Sequence, residues 1–247
     1  MSNSSLICYT KISPNKTSPR TQKIDRITPH CVVGQLSAES ICGCFTNPSR
    51  QASCNYGIGY DGRISLCVEE KDRSWCSSSS SNDHRAVTIE CASDKTSPYA
   101  MNNVVYESLI KLCTDICKRN GKRKLLWFGD KEKTLAYKPK EDEMVITVHR
   151  WFANKSCPGD WLYAQLGDLA EKVTKNLKET TYYSKYNGTS GQVDTVFKAI
   201  GVPNRYIGKW SSRKPIAIAN DIENYVGSAV QNIKLITLAK QGKLKRV

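Results

Sequence analysis

The sequence predicts an α/β fold in which a mixed central β-sheet is flanked by helices, followed by a small, mainly helical C-terminal module. Three observations carry this. Short apolar runs of strand length recur up to residue 149, two long segments carry apolar residues at helical spacing, and beyond residue 180 the strand-like runs stop.

Strand-like runs lie near 6–12, 27–34, 54–60, 63–69, 86–91, 125–128 and 144–149. Tyr60-Asp61-Gly62-Arg63 joins two of them as a hairpin signal, because Asp-Gly readily takes up positive φ. The first long helix is expected over 101–119, where Val105, Leu109, Leu112 and Ile116 form one stripe and Gly121 ends the run. The second, over 160–178, places Leu162, Leu166, Leu169, Val173 and Leu177 on one face and Lys172 and Lys175 on the other. Residues 1–180 therefore read as one domain. The stretch 181–191, TYYSKYNGTSG, is aromatic, polar and glycine-bearing and reads as a linker. Residues 192–247 form a separate basic module, with helical candidates at 191–200, 214–222 and 228–240.

The net charge is +14, and Tyr182–Val247 holds eleven Lys or Arg against three acids, so over half of the surplus sits in the C-terminal part. Such a surplus suits an anionic partner: nucleic acid, an anionic membrane or an acidic cell wall. No apolar run approaches the ~18 residues needed to span a bilayer. The N-terminus lacks the apolar core of a signal peptide, so synthesis and initial retention in the cytoplasm are expected. The cysteine count, eleven, is odd, and without a signal peptide the default is reduced thiols. Cys113 and Cys117 are four apart and share a helix face; Cys31, Cys67 and Cys91 sit in strand-like runs and read as structural.

The chemistry concentrates in His149–Cys157, HRWFANKSC, which places an imidazole, an ammonium (Lys155) and a thiol at the end of the apolar run MVITV. This is a catalytic-zinc pattern, in which three protein ligands leave one position for water. The chain has three histidines. His30 lies in a β-branched run and is the natural third ligand; His84 follows five serines on a polar loop and is left out of the metal shell. The alternative is that the strand histidines and Cys157 are satisfied core residues. Cys157 precedes a helix expected to open near Gly159-Asp160, and a helix N-terminus together with Zn2+ would favour thiolate.

ITPHCVV, NYGIGYDGRI, HRAVTIE and VHRWFANKSCPG together resemble the zinc-dependent N-acetylmuramoyl-L-alanine amidases of the peptidoglycan-recognition fold, especially phage endolysins, over about residues 5–180. The resemblance implies Zn2+ bound by His30, His149 and Cys157, with Lys155 steadying the tetrahedral oxyanion. Glu90 corresponds to the acidic residue that some members use as general base. It further implies hydrolysis, by zinc-activated water, of the amide between N-acetylmuramic acid and L-alanine of peptidoglycan, with action on the wall after release or pore-mediated export. Trp75 and Arg85 fall where the family's substrate groove would run. One position departs from the pattern: Cys54 stands where many members carry a catalytic Tyr seven residues before the Asp-Gly turn. Two readings are open: Glu90 acts alone, or Tyr56, two residues on and so on the same strand face, reaches in. Glu90 is favoured, because an unperturbed phenol with a pKa of about 10 is no base at neutral pH.

RKPIAIAN and the 225–246 segment resemble a C-terminal part of such lysins, implying attraction to anionic wall polymers, with Trp210, Tyr206 and Tyr225 available to stack on sugars; the alternative is a solvated basic cap. Two rival functions remain. The charge and the KRNGKRK run (118–124) would serve nucleic acid, although a charged run at a helix end is usually a solvated cap and no specific nucleic-acid partner is expected. A non-catalytic peptidoglycan-recognition domain is opposed by the complete His30, His149, Cys157 and Lys155 set. Zinc deaminases are excluded because the paired-cysteine and His-x-Glu motifs are missing.

Overall fold

The computed structural model describes residues 2–178 and 182–247, which divide into two compact units, Met1–Lys178 and Glu179–Val247. Among the described residues the first unit contains nine strands: β1 (Ile7–Thr10), β2 (Lys16–Thr17), β3 (Arg26–Cys31), β4 (Tyr56–Ile58), β5 (Ile64–Leu66), β6 (Arg73–Ser74), β7 (Ala86–Cys91), β8 (Lys124–Leu126) and β9 (Glu143–Ile146). Its helices are α1 (Ala38–Gly43), α2 (Ser80–Asp83), α3 (Asn103–Arg119), α4 (Lys131–Ala136) and α5 (Asp160–Lys178). The expected mixed sheet has seven strands in the order β1-β5-β4-β7-β3-β9-β8, parallel except where β4 and β5 form the hairpin at Asp61-Gly62. Gly62 takes φ +79° there, as the Asp-Gly pair requires. A two-stranded ribbon, β2 with β6, was not expected; both strands are too short to leave a periodic signal.

Alternation along the strands gives the sheet two unlike faces. Ile27, Tyr56, Ile58, Val87, Ile89, Met144 and Ile146 fill one core with Leu109, Leu112 and Ile116 of α3 and Leu162, Leu166, Leu169 and Val173 of α5. Both stripes are those the 3.6-residue period predicts, and α3 is capped by Asn102, whose side chain accepts from Val105 N. The opposite face carries Thr28, His30, Gly57, Thr88, Glu90 and Thr147. It is covered in part by α1, whose Ile41 packs with Phe45 and Cys54.

Cys42 of α1 and Cys67 after β5 form a disulfide with Cα atoms 5.3 Å apart, where reduced thiols were expected. The two meet only because α1 packs across the hairpin, so spacing along the chain could not reveal them. The other nine cysteines are free.

The second unit holds α6 (Val193–Ala199), α7 (Trp210–Ala219) and α8 (Ala229–Lys240) around its own core of Val196, Phe197, Ile216, Leu235, Ile236 and Tyr225. α8 begins with a capping box between Ser228 and Gln231. The 181–191 stretch, read as a linker, is anchored to this unit at two of its tyrosines: Tyr183 is buried in this core, its N–H donates to Leu244 O, and Tyr186 N–H donates to Ala239 O. Thr181 lies outside the described residues. Tyr225 is 1% exposed, donating to Asn232 and accepting from Arg213 Nε, so it is a structural residue and offers no face for sugar stacking; Trp210 is 46% exposed.

A Cβ at Gly57 would lie 2.6 Å from Ile41 Cγ2 and 2.7 Å from Ser65 Oγ. Gly57→Ala is expected to push α1 away from the sheet and to destabilise the first unit by about 1–3 kcal/mol, read as a fall in the urea midpoint at unchanged slope.

Candidate active site

The site is built on the polar face at the C-terminal ends of parallel strands. β3 and β7 pair in register, His30 opposite Glu90, and β4 places Gly57 opposite Glu90 on the other side. His30 is fully buried, and its Nδ1 lies 3.2 Å from Cys157 Sγ. β9 ends at Ile146, earlier than expected, and His149 opens a 3-10 turn at 149–151. The chain then loops back so that Arg150 N–H donates to Cys157 O, and the loop is held further by the Arg150–Asp160 ion pair. The His30 and His149 rings meet edge to face with centroids 5.1 Å apart.

One donor atom from each of His30, His149 and Cys157 lies within 4.8 Å of the other two. Ligands of a tetrahedral zinc are about 3.3–3.8 Å apart, so modest side-chain adjustment suffices, and two imidazoles with one thiol are a zinc donor set. The residues fit the ion. His149 Nε2 is hydrogen-bonded to Ser78 Oγ at 2.9 Å, which leaves Nδ1 as its free nitrogen. Burial lowers the pKa of both histidines, aided by His149 at His30 and by Lys155 at His149, and so keeps them neutral, the form that binds metal. In the protein alone, contact with the Cys31 thiol and burial hold the Cys157 thiol well above its ordinary pKa. The helix N-terminus therefore does not by itself make the thiolate expected there; the charge of a cation is needed.

Ser78, the partner of His149, is a residue that the sequence did not single out. It lies in the serine run read as a polar loop, but a buried network fixes it. Asp83 accepts from the N–H groups of Cys76 and Ser77 and from Ser77 Oγ, and Asn82 bridges Thr28, Ser77 and Thr147. No local periodicity marks such a role. His84, as expected, stays out of the metal group: its Nδ1 accepts from Thr21 N–H.

Glu90 points into a cleft of about 590 Å3 that also exposes Trp75, Lys155, His149 and Cys157, with Arg50 and Arg73 at its walls. Burial pushes the Glu90 carboxyl up to about 7, opposed by a contact with the Cys76 thiol and by Arg50. Lys155 is exposed at the mouth of the cleft. Trp75 lines the cleft, with its indole N–H donating to Thr17 Oγ1 at 2.9 Å.

Two expected residues lie elsewhere. Tyr56 is fully buried on the apolar face, opposite Ile89 in register; its hydroxyl donates to Glu70 at 2.6 Å and accepts from Ser4 N–H, and Arg119 pairs with the same Glu70. The reason is an irregularity at Asn55, whose carbonyl accepts from both Cys67 and Val68 N–H. It breaks the two-residue alternation, so Cys54 faces α1 while Tyr56 faces α3. Arg85 pairs bidentately with Asp25 at the N-terminal end of β7, about 16 Å of extended strand from Glu90. It does not line the cleft.

A family model described as N-acetylmuramoyl-L-alanine amidase matches residues 20–160, more than half of the chain. Among solved structures, the catalytic domain of XlyA aligns with a TM-score of 0.49 at 13% identity, covering 67% of this chain and 97% of that one. An AmpD selenomethionine derivative aligns at 0.48 with 16% identity, covering 69% and 99%, and PlyL at 0.47 with 13% identity, covering 70% and 98%. No curated protein matches the sequence.

Tyr56→Phe is expected to cost about 1–2 kcal/mol, because the buried Ser4 N–H loses its acceptor and Glu70 keeps only its Arg119 partner, seen as a lower melting midpoint, while the folded fraction keeps its full specific activity. A loss of turnover larger than the loss of folded protein would return Tyr56 to the site. In the metal-free protein the Glu90 carboxyl is expected to titrate near 7, read from its carbon chemical shift. Added Zn2+ should move that midpoint down, because a nearby cation favours the carboxylate. An unmoved midpoint would separate Glu90 from the cation position.

Proposed function

The chain belongs to the N-acetylmuramoyl-L-alanine amidase family and is a peptidoglycan amidase; on that premise we propose that it cleaves the bond between N-acetylmuramic acid and L-alanine with a zinc ion held by His30, His149 and Cys157. The observation that carries this is the convergence of these three donors beside Glu90 and Lys155 in one cleft. Bound zinc would supply a Lewis acid that acidifies water and polarises the amide carbonyl. Lys155 places its ammonium where the carbonyl oxygen gains negative charge, and its exposure lets it meet the substrate as it enters. Glu90 accepts the proton from the attacking water and passes it to the leaving amine of L-alanine. A carboxyl raised to about 7 suits both transfers near neutral pH. Buried and facing the cleft, it is the one carboxylate set opposite His30 in the sheet. Trp75 offers an apolar face to the glycan or stem peptide, and Arg50 and Arg73 complement the carboxylates of the stem.

The role we infer is that of a phage-type endolysin, acting on the wall after release or pore-mediated export. No described helix is long and apolar enough to cross a membrane. The second unit, with its basic surplus and exposed Trp210, is proposed to hold the enzyme on anionic wall polymers.

On purified peptidoglycan, the protein is expected to release new L-alanine amino termini without new reducing ends. Lys155→Ala should lower kcat/KM by about 10²–10³ with the fold intact by circular dichroism. His149→Ala should lose stoichiometric zinc by elemental analysis as well as turnover. Wild-type rates in either variant would remove the scheme.

A further inference from the structure

The hydrolytic scheme leaves three free thiols of the cleft, Cys31, Cys44 and Cys76, without a task, and of these Cys76 stands beside Glu90. Cys76 is a free thiol on the cleft wall, and the reaction needs nothing from it. Its backbone N–H is fixed by Asp83 at 2.9 Å, and its Sγ lies 3.9 Å from Glu90 Oε1, too far for more than a weak contact. One donor atom from each of Cys76, Glu90 and His30 lies within 4.8 Å of the other two. Two atoms of this trio, His30 Nε2 and Glu90 Oε2, are buried with no hydrogen-bond partner. Buried polar atoms are almost always paired, and an unpaired nitrogen and carboxylate oxygen on neighbouring strand positions, beside a thiol, are what a cation would satisfy.

We propose that Cys76, Glu90 and His30 form a second cation position that takes a thiophilic divalent ion and overlaps the first position through His30. Nitrogen, sulfur and oxygen donors in one set favour zinc and its neighbours over magnesium or calcium. His30 belongs to both sets, and a neutral imidazole offers a lone pair on only one of its two nitrogens, so an ion bound by Cys76, Glu90 and His30 Nε2 takes the lone pair that the His149–Cys157 position needs at Nδ1. The two positions are therefore alternatives. Binding at the second breaks the Cys76 S–H bond, releases that proton to water and engages the Glu90 carboxylate. On the proposed hydrolysis, which assigns Glu90 as base, a protein loaded there is a metal-bound resting state that cannot turn over until the ion moves across.

The position is tested without reference to catalysis. In a His149→Ala/Cys157→Ser double variant the first set is dismantled and the second is intact. Titrated with Co2+, and shown folded by circular dichroism, it is expected to bind one equivalent with a thiolate-to-cobalt charge-transfer band. Adding Cys76→Ser should abolish the band and weaken binding by about tenfold or more. Failure of the folded double variant to bind cobalt, or a band that survives Cys76→Ser, overturns the proposal. The wild-type chain gives a second readout should the double variant not fold. Cadmium NMR at one equivalent is expected to change on Cys76→Ser, with loss or displacement of a resonance, and a spectrum untouched by that substitution overturns it equally. A failure of the hydrolytic reading shows instead as unchanged turnover in Lys155→Ala, which bears on neither metal measurement.

Discussion

The register of β3 against β7 is the constraint on which the site depends. Ile27 stands opposite Val87 and Pro29 opposite Ile89, so His30 stands opposite Glu90. Burial of the apolar positions against α3 and α5 holds that alignment, since a slip of one residue would exchange the two faces and bury His30 and Glu90 among leucines. Hydrophobic packing on one side of the sheet thus places the chemistry on the other.

That second side is unusual in being both polar and covered. Thr28, Thr147 and Asn82 share hydrogen bonds beneath the site, as do Asn55, Ser74 and Thr88. Each bond satisfies a group that would otherwise be stranded away from water, and together they leave the 75–83 segment little freedom. The segment in turn brings Ser78 to His149 and Cys76 toward Glu90. Among the described residues only His30 Nε2, Glu90 Oε2 and Arg150 Nε remain buried without partners, two of them at the proposed cation positions.

The basic character of the chain divides in the same way between structure and surface. Arg119, within the run that invited a nucleic-acid reading, is committed to Glu70 and Asp115, and Arg213 is buried against Tyr225 and Asp194. The acids of these pairs are already subtracted in the net charge of +14, so the surplus itself stands, and Lys209 beside Trp210 and Lys240 and Lys243 near the C-terminus carry part of it at the surface.

The residues alone determined the long elements and the donor set. Apolar stripes at helical spacing in 103–119 and 160–178, and the spacing of His149, Lys155 and Cys157 after a buried run, are local patterns that packing did not override. Tertiary structure decided what depends on contact between distant segments. It closed Cys42 on Cys67, buried Tyr56 against Glu70, turned Arg85 to Asp25, drew Tyr183 into the second core, and set Ser78 on His149. The physical reason is that periodicity records which side of its own element a residue occupies. Which group stands across from it is fixed only when strand register, an irregularity such as that at Asn55, and the cover of a loop have been settled together.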